Sequence, residues 1–318
     1  MPTKMPQPLG GVMAIVKLLL KLGLVPNPHK VLEQPQEERW KRVVPSFLHK
    51  PGPQSVRTED VVVAGRDGNA IPARVYTRPG TEPGAPGFLF IHGGGFIDGG
   101  IDFCDNVQRG LAERTGYVVV GLSYRLAPQH PFPAALHDCA DVLQWMHDTR
   151  PAGMDPERIA VGGESAGGNL AAALCLFARD EGGPRIAHQT VYYPFADTSL
   201  TSPDWDNGLM PPINRESGEL MVRVYGGDDP HNPLINIVGA DLGGVPPATV
   251  ITCGHDVLTT DGLRFVAALQ AAGVPTLHAH HDDMPHGFLM FNRVSTRPDE
   301  SIDEMARQAG KHLTAARS

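Results

Sequence analysis

The polar and apolar positions of the chain repeat with a period of two over 60–64 and 71–76, and the Arg66-Asp67-Gly68-Asn69 between them is turn-forming, so a β-hairpin is expected there. Pro72 has no N–H to give to a ladder, which places this pair at a sheet edge. Downstream, short β-prone runs at 88–91, 117–122, 158–161, 186–193, 248–253 and 275–281 read as strands. They take turns with helix-forming stretches at 103–114, 134–148, from Asn169 to Arg179, 261–272 and from about Asp299. Alternation of this kind predicts an α/β fold with a mainly parallel eight-stranded sheet and helices on both faces.

Two stretches stand outside that rhythm. Residues 1–56 hold an apolar run at 9–24, a second helical stretch at 36–48, and proline-rich connectors ending at Pro51-Gly52-Pro53. In the first run Lys17 and Lys21 share a helical stripe with Gly10 and Ala14, leaving Val12, Ile15, Val16, Leu19 and Leu22 as the apolar surface. The run is too short to span a bilayer, so a helix packed on the protein's own body is expected, with no stable membrane insertion. Residues 197–232, with Pro203, Pro211, Pro212 and Pro230, show no clear alternation and are expected as an insertion over the core. The expected organisation is one domain over 57–318, overlaid by 1–56 and 197–232.

Composition narrows the partners. A formal charge of −8 over 318 residues, without a dense Lys/Arg run, argues against nucleic acid. The four cysteines, Cys104, Cys139, Cys175 and Cys253, are scattered with no Cys-x-x-Cys pair and are expected as reduced thiols of a cytoplasmic protein.

The chemistry converges at the C-terminal ends of the strands, where ligands bind in doubly wound sheets. Gly163-Glu164-Ser165-Ala166-Gly167 follows a short strand and opens a helix. Its two outer glycines let strand and helix approach closely while the Ser165 hydroxyl stands exposed at the tip as a nucleophile. After the strand at 88–91 comes His92-Gly93-Gly94-Gly95-Phe96, whose glycines can turn backbone N–H groups toward one point. The expected oxyanion donors are Gly93, Gly94 and Ala166. A phosphate loop would instead call for Gly-Lys-Ser/Thr, which this loop lacks. A carboxylate and an imidazole follow the last two strands, in Gly254-His255-Asp256-Val257-Leu258 and Met284-Pro285-His286-Gly287-Phe288. The chain order Ser165, Asp256, His286 suits a nucleophile, an orienting carboxylate and a base. His255 is a rival base, and Asp282 and Asp283 are rival carboxylates. His278, His280, His281 and His286 raise a metal reading, but on a strand His281 points away from His278 and His280, so no metal is expected.

With these residues in place, the chain resembles the bacterial hormone-sensitive lipase family of α/β-hydrolase carboxylesterases. The likeness runs from about residue 58 to the end. It rests on His92 to Phe96, on Ser123-Tyr124-Arg125-Leu126-Ala127-Pro128 through His130 to Ala135, on Gly163 to Gly168, and on His286-Gly287-Phe288. The resemblance implies the α/β-hydrolase fold, a triad of Ser165, Asp256 and His286, and a helical cap built from 1–56 and 197–232. It implies hydrolysis of short- to medium-chain small-molecule esters through an acyl-enzyme, with no cofactor. Phe96, Glu164, Leu209 and Phe288 are the residues expected at the substrate pocket. Members often dimerise through the edge of the last strand, which leaves a homodimer as an open expectation. Glu164 stands where the family most often has aspartate, and Gln129 where it usually has glutamate. Cleavage of an amide, thioester or lactone, a non-catalytic receptor, and a membrane-surface lipase using 9–24 remain as alternatives.

Overall fold

The computed structural model describes residues 3–7, 9–21, 50–206 and 213–314. The expected helix at 36–48 and the expected pocket residue Leu209 lie outside the described residues.

Eight strands form one sheet: β1 (Arg57–Ala64), β2 (Ala70–Thr77), β3 (Pro86–Ile91), β4 (Val118–Leu122), β5 (Asp155–Glu164), β6 (Ile186–Tyr192), β7 (Ala248–His255) and β8 (Thr276–Pro285). Their order is β1-β2-β4-β3-β5-β6-β7-β8. The hairpin β1–β2 and the β2–β4 pair are antiparallel, and all later pairs are parallel. Parallel strands need covering on both sides, and β3 shows it: Leu89 and Ile91 enter one apolar cluster, Phe88 and Phe90 the other. On the first face lie α3 (Ala134–Thr149), α4 (Ala166–Glu181) and α6 (Thr259–Ala271), bringing Leu136, Leu143, Leu170 and Phe265. On the second lie α1 (Leu9–Lys21), α2 (Asp105–Thr115) and α7 (Arg297–Thr314), bringing Leu9, Met13, Val107, Leu111 and Met305. Helix α2 stops where Gly116 turns left-handed (φ 73°) and its N–H returns to Ala112 O.

Helix α1 uses a different face from the one its lysines suggest. Leu9 and Met13, one turn apart, are the buried pair and join the apolar cluster that also holds Phe288 to Phe291, whereas Ile15 is 59% exposed. Among the described residues no helix is long and apolar enough to cross a membrane. The stretch 197–232 contains α5 (Arg215–Gly226), opened by a reciprocal cap in which the Asn214 side chain takes the Ser217 N–H and Ser217 Oγ takes the Asn214 N–H. Tyr225 of α5 stacks on Phe96 with ring centroids 3.9 Å apart, so this helix lies against the glycine loop. All four cysteines are free and buried.

Strands β7 and β8 run further than 248–253 and 275–281. A register shift between Cys253 and His255 lets His255 pair with Pro285. Gly254 makes this possible, because a Cβ there would stand 2.1 Å from Asp282 O. The extension carries Asp256 and His286 to adjacent positions at the end of the sheet.

Candidate active site

The turn between β5 and α4 has the tightness that its glycines predict. A Cβ on Gly163 would lie 2.3 Å from Gly167 O and one on Gly167 2.2 Å from Ile91 O, so neither position accepts a side chain. Ser165 sits between them at φ 57° and ψ −121°, a conformation rare for a non-glycine residue and found where function holds it in place. Its N–H is tied to Tyr192 O at 2.9 Å on the neighbouring strand.

The structure brings Ser165, His286 and Asp256 together. His286 Nε2 is 3.0 Å from Ser165 Oγ, and His286 Nδ1 is 2.7 Å from Asp256 Oδ2. A carboxylate only accepts, so Nδ1 carries the proton and Nε2 is left to accept from the serine hydroxyl. Asp256 is fully buried, and its other oxygen takes the Leu258 N–H at 2.9 Å. Burial disfavours the imidazolium, but the charge and hydrogen bond of Asp256, with a contribution from Glu164, outweigh it and hold the His286 pKa above its usual value. The Tyr193 ring meets the imidazole edge-on at 4.8 Å.

The rival residues have other partners. His255 Nε2 lies 2.6 Å from Thr3 O, Asp282 accepts the Thr3 N–H at 2.9 Å, and Asp283 pairs with Arg297 at 3.3 Å. His278 and His280 share Thr252 Oγ1, each at 2.8 Å, while His281 turns to Phe288 on the opposite side. Among the described residues no group of three or more such side chains is placed to hold a metal.

The glycine loop corrects one expected donor. Gly93 N–H donates to Glu164 Oε1 at 2.6 Å, so it is already committed and is unavailable to a substrate oxygen. The N–H groups of Gly94, Gly95 and Ala166 have no partner among the described residues. Gly94 and Gly95 adopt φ 105° and 61°, conformations that favour glycine. Of the expected Gly93, Gly94 and Ala166, Gly93 thus has its N–H taken, and the N–H groups of Gly94, Gly95 and Ala166 are the ones left without a partner among the described residues. The loop is held from behind by Tyr124, whose O–H donates to His92 O at 3.0 Å and whose ring stacks on His92 at 4.2 Å. Burial drives the His92 pKa down to about 4, keeping it neutral.

Two expected pocket residues are corrected as well. Phe96 is 1% and Phe288 0% exposed; the first stacks under Tyr225 and the second packs on Tyr193, so both belong to the wall behind the site and offer no surface to a ligand. Glu164 is buried beside the loop. Sequence reasoning missed Tyr193, Tyr225 and Met221, the last of which would meet a Cβ on Gly95 at 2.6 Å. No spacing in the chain ties these residues to the motifs. Gln129 lies at the surface.

A serine on a strained strand-to-helix turn, a histidine from the end of the last strand and a carboxylate from the one before define an α/β-hydrolase site. A family model described as alpha/beta hydrolase fold matches residues 88–290. The chain is 37% identical over 269 residues to carboxylesterase NlhH of Mycobacterium tuberculosis, covering 82% of each chain. It is 29% identical to an ethyl acetate hydrolase of Pseudomonas putida, covering 80% of this chain and 82% of that one. The structure of a hyperthermophilic esterase from Pyrobaculum calidifontis superposes with a TM-score of 0.83 at 29% identity, covering 99% and 100% of the two chains. The chain belongs to the α/β-hydrolases, in their hormone-sensitive-lipase-like family.

Proposed function

We propose that the chain is a serine carboxylesterase acting on short- to medium-chain esters of small molecules. The observation that carries this is the continuous hydrogen-bonded row Asp256–His286–Ser165, with spacings of 2.7 and 3.0 Å. In the first half-reaction Ser165 Oγ attacks the ester carbonyl as His286 Nε2 takes its proton. The carbonyl oxygen becomes an oxyanion facing the Gly94, Gly95 and Ala166 N–H groups, and the alcohol leaves with the proton from His286. In the second, His286 deprotonates a water that attacks the acyl-enzyme, and the acid departs as His286 returns the proton to Ser165 Oγ. Side chains and backbone carry every proton and charge in this scheme, so it calls for no cofactor.

The stretches 1–56 and 197–232 form a cap over the domain at 57–318 in this proposal. Support comes from α5 lying on the glycine loop and from Leu9 and Met13 being buried in the apolar cluster that also holds Phe288. Four free, buried thiols support a cytoplasmic setting, and the outer edge of β8, which ends the sheet, supports a homodimer that a light-scattering concentration series would test. The decisive experiment is hydrolysis of a p-nitrophenyl ester series of rising acyl length, beside Ser165→Ala. Turnover that falls with chain length, shows a burst and disappears in the variant is expected. Turnover retained by Ser165→Ala would refute the proposal.

A further inference from the structure

Glu164 is the last residue of β5 and directly precedes the nucleophile, yet its carboxylate reaches across to the glycine loop. It is 3% exposed. Burying a carboxylate is costly unless hydrogen bonds and charge offset it. Here burial holds its pKa above the usual carboxylate value, with Asp256 adding to the effect and His286 and the Gly93 N–H opposing it. The fit to Gly93 is close: a Cβ on that glycine would stand 2.2 Å from Glu164 Oε1 and 2.7 Å from its Cδ. The carboxylate therefore occupies the space a side chain at 93 would fill. The loop's other anchors grip carbonyl oxygens: Tyr124 O–H on His92 and Gly93, the Ile97 and Asp98 N–H groups on Gly94, and the Ala127 N–H on Phe96. Those bonds fix where the loop runs. Because each peptide is planar, the bonds of His92 Nδ1 and Tyr124 O–H to Gly93 O also set the direction of the Gly94 N–H, and those of Ile97 and Asp98 to Gly94 O that of the Gly95 N–H. The Gly93 N–H, at the head of the loop, ties the whole of it to the strand end that carries Ser165.

We propose that Glu164 is the positioning residue of the oxyanion loop: by holding the Gly93 N–H it ties the head of the loop to the strand end that carries Ser165 and so sets the distance of the free N–H groups of Gly94 and Gly95 from the substrate oxygen above Ser165. This rests on the esterase reading. Three successive glycines have wide conformational freedom, and an oxyanion site contributes most when its donors need no reorganisation at the transition state. A short bond to a carboxylate removes that freedom at its root. The donor and the nucleophile then move with one strand end, since residues 164 and 165 are consecutive.

The charge has a second consequence. Titratable groups facing Glu164 come from several elements: Cys104, Tyr124, Tyr193, Asp256 and His286. Burial pushes the Cys104 thiol and the two phenols far up, so they stay neutral. His286 is the group whose charge changes near neutrality, and Glu164 stabilises its imidazolium.

The test compares kcat, KM and the pH profile on p-nitrophenyl acetate for the wild type, Glu164→Gln and Glu164→Ala. The Gln amide keeps an oxygen acceptor without the charge, so kcat should fall by no more than about tenfold and the acid limb of kcat/KM should move to lower pH. The Ala variant leaves Gly93 unheld, and kcat should fall by about 10²-fold at little changed KM, because the lost interaction belongs to the transition state. Equal losses in the two variants without movement of the acid limb would reduce Glu164 to packing and overturn the proposal, as would full activity of Glu164→Ala. Should Glu164→Ala fail to fold, ¹⁵N-glycine labelling decides: the Gly93 amide proton should move upfield in Glu164→Gln, and an unmoved resonance overturns the proposal. Ser165→Ala runs alongside. If it retains turnover, the esterase reading itself fails; if it is inactive while Glu164→Ala is fully active, only the positioning role fails.

Discussion

Replacing Asp261 with asparagine should make the protein more resistant to unfolding, increasingly so as the pH rises. Asp261 lies in the first turn of α6 with no exposed surface, and neither carboxyl oxygen has a hydrogen-bond partner among the described residues. Burial, then the nearby Asp197 carboxylate, drives its pKa up to about 8, with Asp256 and Asp204 adding to the effect and Arg264 opposing it. The unfolded chain releases this proton near pH 4, whereas the folded protein keeps it to about pH 8. Between those values the folded state binds more protons than the unfolded one, so stability is full below pH 4 and declines as pH rises through the window. The loss by pH 8 is on the order of 5 kcal/mol. Asparagine has the same shape, no charge to desolvate and no carboxyl hydrogen bond to lose. Urea unfolding of both proteins from pH 4 to pH 9 should give coincident midpoints at the acid end. The variant's advantage should then grow to several kcal/mol at the alkaline end. Stability curves that stay parallel across the whole range would refute the reasoning, because they would mean that Asp261 holds its proton no more tightly folded than unfolded.

Three further outcomes follow from the site. Asp256→Asn should lower kcat by about 10⁴, by analogy with the best-studied serine triad, since the amide no longer selects the His286 tautomer; steady-state kinetics showing full activity would refute the assignment of the carboxylate. The acid limb of kcat/KM should lie above pH 6.5, because His286 must be neutral to take the serine proton and its pKa is held above that value; a limb below pH 6 would contradict it. Gly95→Ala should reduce kcat by about 10²–10³ with a small effect on KM, as the new methyl meets Met221 at 2.6 Å and the left-handed φ of 61° is lost to an L side chain; a change below about threefold would remove Gly95 from the donor set.

The alternation of strands and helices made most of this fold readable because β3 and β4 are buried on both faces and appear as short apolar runs. The ends of β7 and β8 were hidden for a related reason. Asp282 and Asp283 look like loop residues, but Asp282 turns outward to the Thr3 N–H and Asp283 to Arg297, so the backbone continues as strand beneath polar side chains. Helix α5 is hidden because it lies among prolines and is opened by Asn214 with Ser217, a weaker signal than the usual Ser/Thr and Glu pair. The turn at Ser165 was legible since its glycines answer to a steric demand that is local in sequence. The face of α1 was not: Leu9 and Met13 are buried in a cluster whose other members come from distant parts of the chain, from Val56 to Leu313.

The donor register shows where a sequence stops being informative. Gly93, Gly94 and Gly95 are chemically identical, so no property of the residues themselves says which pair offers its N–H groups to a ligand. The answer depends on a residue 71 positions away, whose carboxylate takes the first N–H at 2.6 Å and leaves the next two free. A carboxylate accepts and cannot donate, and its burial makes an unpaired oxygen costly, so an acid at 164 accounts for the Gly93 N–H being taken while those of Gly94 and Gly95 have no partner among the described residues. The same substitution that departs from the family's more common aspartate thus has a structural reading. The side chain at 164 must span from the end of β5 to the Gly93 N–H, and glutamate supplies one more methylene of reach with which to do it.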